Sequence, residues 1–145
     1  MAHGEYQDTR LVELQNTLDY NNDSIDVARH SKASPVGIFS GITATTTGAN
    51  ISCTGCNGIL IEYEATAITS GNLVVKLTGN VNSATGTFKD IYSTKTGSEV
   101  LYSTTITANQ SRQVVFGPGL PDNVKVVSTK TTDGTLSLTA QPIHL

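Results

Sequence analysis

Tryptophan is missing from this 145-residue chain, methionine occurs once, cysteine twice and proline four times. Charged residues amount to 14%, against about 25% in an ordinary domain. Two cysteines cannot build a disulfide framework, and a chain of this size buries roughly 68–70% of its unfolded surface without needing one. There is no run of about 18 apolar residues, which excludes a membrane-crossing helix. With nine Lys and Arg against twelve Asp and Glu, a net charge of -3, the chain lacks the basic footprint of a nucleic-acid binder. The first residues, MAHGEYQDTR, have no basic stretch leading into an apolar one, so the expected setting is assembly in the cytoplasm and not secretion. The sequons at Asn22, Asn50 and Asn109 carry little meaning there.

What is present is threonine, 22 of them, with 13 serines and 10 asparagines. Apolar residues including glycine reach about 46%, enough for one globular core. The acids and bases divide unevenly. Residues 1–34 hold Glu5, Asp8, Glu13, Asp19, Asp23 and Asp26 against Arg10, Arg29 and Lys32, and the remainder is balanced. Leu11, Leu14 and Leu18 recur at helical spacing after Asp8, a fitting N-cap, and Asn21-Asn22-Asp23 supplies a stop. This predicts a short amphipathic helix over about 10–20, followed by an alternating segment at 24–30 carrying Ile25, Val27 and Arg29. A helix of three turns is marginal alone. Residues 1–34 are therefore expected to be an arm that docks on a partner through Leu11, Leu14, Leu18, Ile25, Val27 and Arg29.

Beyond Pro35 the pattern changes to short β-rich runs at 36–42, 49–53, 58–68, 73–78, 87–92, 99–107, 112–116, 124–129 and 135–141. Turn chemistry separates them: Ser70-Gly71-Asn72, Gly79-Asn80, Gly117-Pro118-Gly119 and Pro121-Asp122-Asn123 among others. The expectation for 35–145 is an all-β domain, an antiparallel sandwich or jelly-roll-like fold of about eight strands, with Thr132-Asp133-Gly134 as its strongest hairpin signal. Ile59, Ile61, Tyr63, Ala65, Val124, Val126, Val127, Phe39, Leu77, Phe88, Ile91, Phe116, Leu136 and Leu138 are its candidate core. Threonine suits the outward faces without bringing charge, and a charge-poor strand surface lacks the usual protection against association.

Catalytic patterns are weak. Cys53 and Cys56 form one C-x-x-C with no second pair and only the scattered His3, His30 and His144, so two thiols at a tight turn is the expected reading and zinc is not. Glu62 and Glu64 share a strand face roughly 6.5–7 Å apart. Same-face neighbours are usually solvated and paired, with Lys76 the expected partner, whereas catalytic carboxylates flank a bond in distinct environments. No G-x-S-x-G or phosphate-binding loop occurs, and no cofactor is expected. The five tyrosines, Tyr6, Tyr20, Tyr63, Tyr92 and Tyr102, offer platforms for sugars, which keeps a carbohydrate-binding module as an alternative.

The polar arm followed by the threonine-rich runs of 73–142, among them Leu-Val-Val-Lys-Leu-Thr-Gly, Gly-Thr-Phe-Lys-Asp-Ile-Tyr, Val-Val-Phe-Gly-Pro-Gly and Asn-Val-Lys-Val-Val-Ser, resembles small bacteriophage virion proteins, particularly head-decoration proteins. The resemblance implies a β-sandwich that is not an enzyme and clusters as a homo-oligomer, commonly a trimer. It further implies attachment by terminal arms to the major capsid protein on the capsid exterior, and stabilisation of the assembled shell. A tail or head-to-tail connector protein is the neighbouring possibility.

Overall fold

The computed structural model describes residues 33–93 and 99–145. Twelve strands follow one another there: β1 Val36–Ile42, β2 Thr46–Thr47, β3 Ile51–Ser52, β4 Gly58–Thr66, β5 Leu73–Asn80, β6 Lys89–Asp90, β7 Tyr92–Ser93, β8 Val100–Leu101, β9 Ser103–Ile106, β10 Gln110–Phe116, β11 Asn123–Lys130 and β12 Thr135–Ile143. No helix occurs among the described residues. The expected helix at 10–20 and strand at 24–30 lie outside them.

The strands form two main antiparallel sheets and a small ribbon. The first sheet runs β1-β12-β4-β10, and the second places β11 between β5 and the short β2 and β3, with β6 and β9 on the far side of β5. The ribbon is β7 with β8. Period-2 alternation decides which side of each strand turns inward. On β4, Ile59, Ile61, Tyr63 and Ala65 are buried while Glu62, Glu64 and Thr66 are exposed. On β12, Leu136, Leu138 and Ala140 alternate with half-buried Thr135, Ser137, Thr139 and Gln141. The second sheet contributes Leu73, Val75 and Leu77 from β5 and Val124 and Val126 from β11, and all of these join one cluster with the residues of the first sheet. Burying that cluster is what holds the sheets face to face.

Four expectations need correction. Val127 is half-buried and faces away from the core, because the strand phase set by Val124 and Val126 brings Ser128 inward instead. Ser128 is fully buried, and its hydroxyl has no hydrogen-bond partner among the described residues. Thr132-Asp133-Gly134 makes a turn but not a hairpin, since β11 and β12 belong to different sheets and the turn carries the chain from one to the other. The runs 87–92 and 99–107 each break in two, at Ile91 and Tyr102: the Tyr102 amide donates to the Ile91 carbonyl and its carbonyl accepts from the Leu77 amide, at the point where pairing passes from β7 with β8 to β9 with β5. Phe88 is half-buried and lies outside the core cluster, 4.3 Å under the Lys125 ammonium, whereas Ile91, also half-buried, packs against the cluster as expected.

Asp133 is put to a different use. Its carboxylate accepts from the Thr69 hydroxyl and from the amides of Thr69, Ser70 and Gly71, at 3.1, 3.2 and 3.1 Å for the three amides. One side chain thus fixes the whole β4–β5 loop. The Thr69 hydroxyl first, with those amides after it, outweighs the opposing desolvation and holds the carboxyl below its ordinary range.

Candidate functional site

Leu11, Leu14, Leu18, Ile25, Val27 and Arg29, the expected partner-contact residues, lie outside the described residues, as do His3, His30, Tyr6 and Tyr20. The remaining candidates have definite places.

Glu62 and Glu64 project outward from β4, the middle of the first sheet. Register sets Gln113 and Thr139 on either side of Glu62, and Ser111 and Ser137 on either side of Glu64. The floor is a shallow depression of about 480 Å³. Glu62 accepts from the Gln113 amide at 2.7 Å. Lys76 is not its partner: β4 pairs only with β10 and β12 among the described strands, and Lys76, on β5 of the other sheet, bonds Asp90 at 2.8 Å. Both carboxylates therefore sit on one open face among the side chains of Ser111, Gln113, Ser137 and Thr139, with Arg112 also lining the depression.

The cysteines occupy a tight turn, as their spacing suggests. The Cys56 amide donates to the Cys53 carbonyl at 2.9 Å, and Gly55 between them has φ +76°, the conformation a type II turn demands of its third residue. Both thiols are free; Cys53 is buried and Cys56 half-buried. Desolvation, with the neighbouring Cys56 and then Asp122 adding to it, pushes Cys53 up to about 11. A thiol held protonated in this way is a poor nucleophile. No group of three or more His, Cys, Asp or Glu side chains gathers to hold a metal among the described residues. Just beyond, Asn57 clasps the backbone of Leu145, accepting from its amide at 2.6 Å and donating to its carbonyl at 3.2 Å.

The tyrosines separate by environment. Tyr63 is buried and its hydroxyl accepts from Gln110. Tyr102 leans on Phe116 at 5.9 Å between ring centres and donates to the Pro118 carbonyl at 2.8 Å. Tyr92 is 50% exposed, and of these three it alone offers a free ring.

The feature that composition hinted at without locating is a sheet edge. Exposed edges are normally short, bulged or charged, because a long regular one recruits another strand. Most edges here obey that rule: β2, β3 and β6 have two residues each, β9 has four, and β1 carries two register irregularities along its pairing with β12. β10 does not. It pairs residue for residue with β4 over seven consecutive positions, forms the outer edge of the first sheet among the described strands, and carries one charge, Arg112. Ser111, Arg112, Gln113 and Val115 are all exposed, Val115 by 51%.

No family model matches the chain, and neither does any curated protein. Among solved structures it is similar to the SPBc2 prophage-derived protein YomS, with a TM-score of 0.48 at 14% identity, covering 77% of this chain and 94% of that one.

Proposed function

We propose that this chain is a bacteriophage virion structural protein that decorates and stabilises an assembled capsid as a symmetric homo-oligomer, a trimer, without catalytic activity of its own. The observation that carries the reading is the β10 edge. A seven-residue regular strand with one charge is suited to pairing with another subunit, and a closed symmetric cluster uses such an edge without leaving it open to indefinite addition. The charge-poor, threonine-rich composition and the sandwich core support the same reading, as does the sequence resemblance. In this scheme residues 1–34 reach the major capsid protein. Three arms converging on one symmetry site bind at high effective concentration, so weak single contacts hold the cluster to a shell and scarcely to free subunits.

Native mass spectrometry together with cosedimentation on undecorated phage heads tests both halves. The expected result is a trimer that sediments with heads and not with unassembled capsid protein. Replacing Gln113 and Val115 with lysine should shift the trimer toward monomer while leaving the circular dichroism of a β protein intact. A wild-type monomer that ignores heads refutes the proposal.

A further inference from the structure

A second surface, at the loop end of the second sheet, has the form of a ligand site. A cleft of about 790 Å³ opens between the β5–β6 loop and the turn that follows β10, within the usual range of about 300–1,000 Å³ for small-molecule pockets. Its floor is close-packed. A Cβ placed on Gly79 would lie 2.4 Å from Cγ of Pro121 and 3.0 Å from Cδ1 of Ile91, so the missing side chain is what lets these two residues settle onto the strand. Leu120 completes the floor and is itself buried.

Both walls are fixed in advance. Asn80 holds the β5–β6 loop by donating to the Thr87 carbonyl at 2.9 Å and accepting from the amides of Asn82 and Ser83 at 2.8 and 3.0 Å. The opposite turn is tied by Tyr102 to the Pro118 carbonyl and by the Leu120 amide to the Asn57 carbonyl. At the rim stand two exposed apolar side chains, Val81 at 76% and Tyr92 at 50%. Beside them the side chains of Asn82, Thr87 and Lys89 make no hydrogen bond or ion pair with other described residues, whereas Asp90 is already neutralised by Lys76.

We infer that this cleft binds an acidic oligosaccharide, one bearing a uronate or similar carboxylate. Sugars present an apolar ring face edged by hydroxyls. An exposed tyrosine ring beside valine offers the matching apolar wall, an amide and a hydroxyl can pair with the sugar hydroxyls, and Lys89, with no carboxylate partner among the described residues, selects the acid. Preformed walls reduce the ordering cost of binding. This goes beyond capsid decoration and does not depend on it: the cleft lies between the β5–β6 loop and the turn after β10, and the proposed subunit contact lies along the β10 strand itself, at Gln113 and Val115.

The test is an NMR titration of the full chain with two probes of equal length, a hyaluronan tetrasaccharide, which carries uronates, and cellotetraose, which is neutral. Amide shifts confined to residues 79–92 and 117–121, with the uronate probe bound more tightly, are expected. Tyr92→Ala should weaken that binding by about tenfold or more, roughly 1.4 kcal/mol. Lys89→Gln should erase the preference for the acidic probe, and Glu62→Gln, on the outer face of the other sheet, should change nothing. No shifts with either probe, shifts centred on Glu62 and Glu64, or binding indifferent to Tyr92→Ala would each overturn the assignment. Trimer formation and head binding are read separately, so failure here leaves the virion reading standing and the reverse holds equally.

Discussion

Three glycines should respond to alanine in a graded way, because each isolates a different cost. Gly134 ends the turn between the sheets with φ +124°, and a Cβ there would meet Leu73 at 3.1 Å and Ile68 at 3.2 Å. Both neighbours are buried core residues and have little room to retreat. Holding a non-glycine residue in such a conformation costs about 1–3 kcal/mol, and overpacking a core costs a further ~1–3 kcal/mol. Gly134→Ala should therefore lose roughly 2–6 kcal/mol, a large share of the ~5–15 kcal/mol of a typical domain. Gly119 also has a positive φ, +97°, but nothing lies within 4 Å of its would-be Cβ, so alanine there should cost only the strain of about 1–3 kcal/mol. Gly37 on β1 has neither problem, and alanine should be neutral or gain up to about 1 kcal/mol by restricting the unfolded chain. Urea unfolding followed by circular dichroism at one fixed protein concentration measures all three, the fixed concentration removing differences due to association. If Gly134→Ala proves no worse than Gly119→Ala, the turn is not seated on Leu73 and Ile68 as described. If Gly37→Ala destabilises by more than about 1 kcal/mol, the space around β1 has been misjudged.

Three more expectations follow from buried or paired groups. Ser128→Ala should stabilise the domain, by up to about 1–3 kcal/mol, since it removes a buried hydroxyl with no partner; a loss in the same urea assay would reveal a partner for that hydroxyl. Asp133→Asn should destabilise near neutral pH, because an amide nitrogen cannot accept from the Thr69, Ser70 and Gly71 amides. The folded pKa of Asp133 is lowered, so its contribution is complete above the unfolded carboxylate value and disappears as the pH falls through the folded one. The gap between wild type and mutant should close in acid, and a gap independent of pH would contradict the clamp. Iodoacetamide at mildly alkaline pH should modify Cys56 and spare Cys53, which is buried and pushed up to about 11, with both reacting after denaturation; mass spectrometry of the native protein showing Cys53 modified first would refute this.

Much of the fold was legible because alternation is a direct record of which side of a strand meets the core. Ile59, Ile61, Tyr63 and Ala65 show it without interruption, and the run 36–42 coincides with β1. Partnership between strands was not legible. Placing Lys76 beside Glu62 assumed that consecutive strands are neighbours, whereas β4 takes β10 and β12 from much later in the chain. Asp133-Gly134 misled for a related reason: the residues specify a reversal of direction, and nothing local says whether the returning strand joins the same sheet. Ser128 broke the apolar pattern because one hydroxyl does not shift a strand phase anchored by Val124 and Val126. The β10 edge and the cleft beside Tyr92 escaped for the same cause, since an edge is defined by the strand that is not beside it, and a cleft joins loops some 30 residues apart.

The position of β12 has a consequence for how the protein is made. It lies between β1 and β4, with Val36 opposite Ala140 and Ile61 opposite the same residue on its other side. Until residues 135–143 have been synthesised, β1 has no neighbour among the described strands of the first sheet, and the edge of β4 that takes β12 stays open. Pairings between such distant segments close large loops before any reward is collected, and they fold slowly for that reason. Apolar faces of β1 and β4 therefore stay uncovered until β12 is made, and crowding or a short delay in completing β12 should favour aggregation over loss of stability once folded.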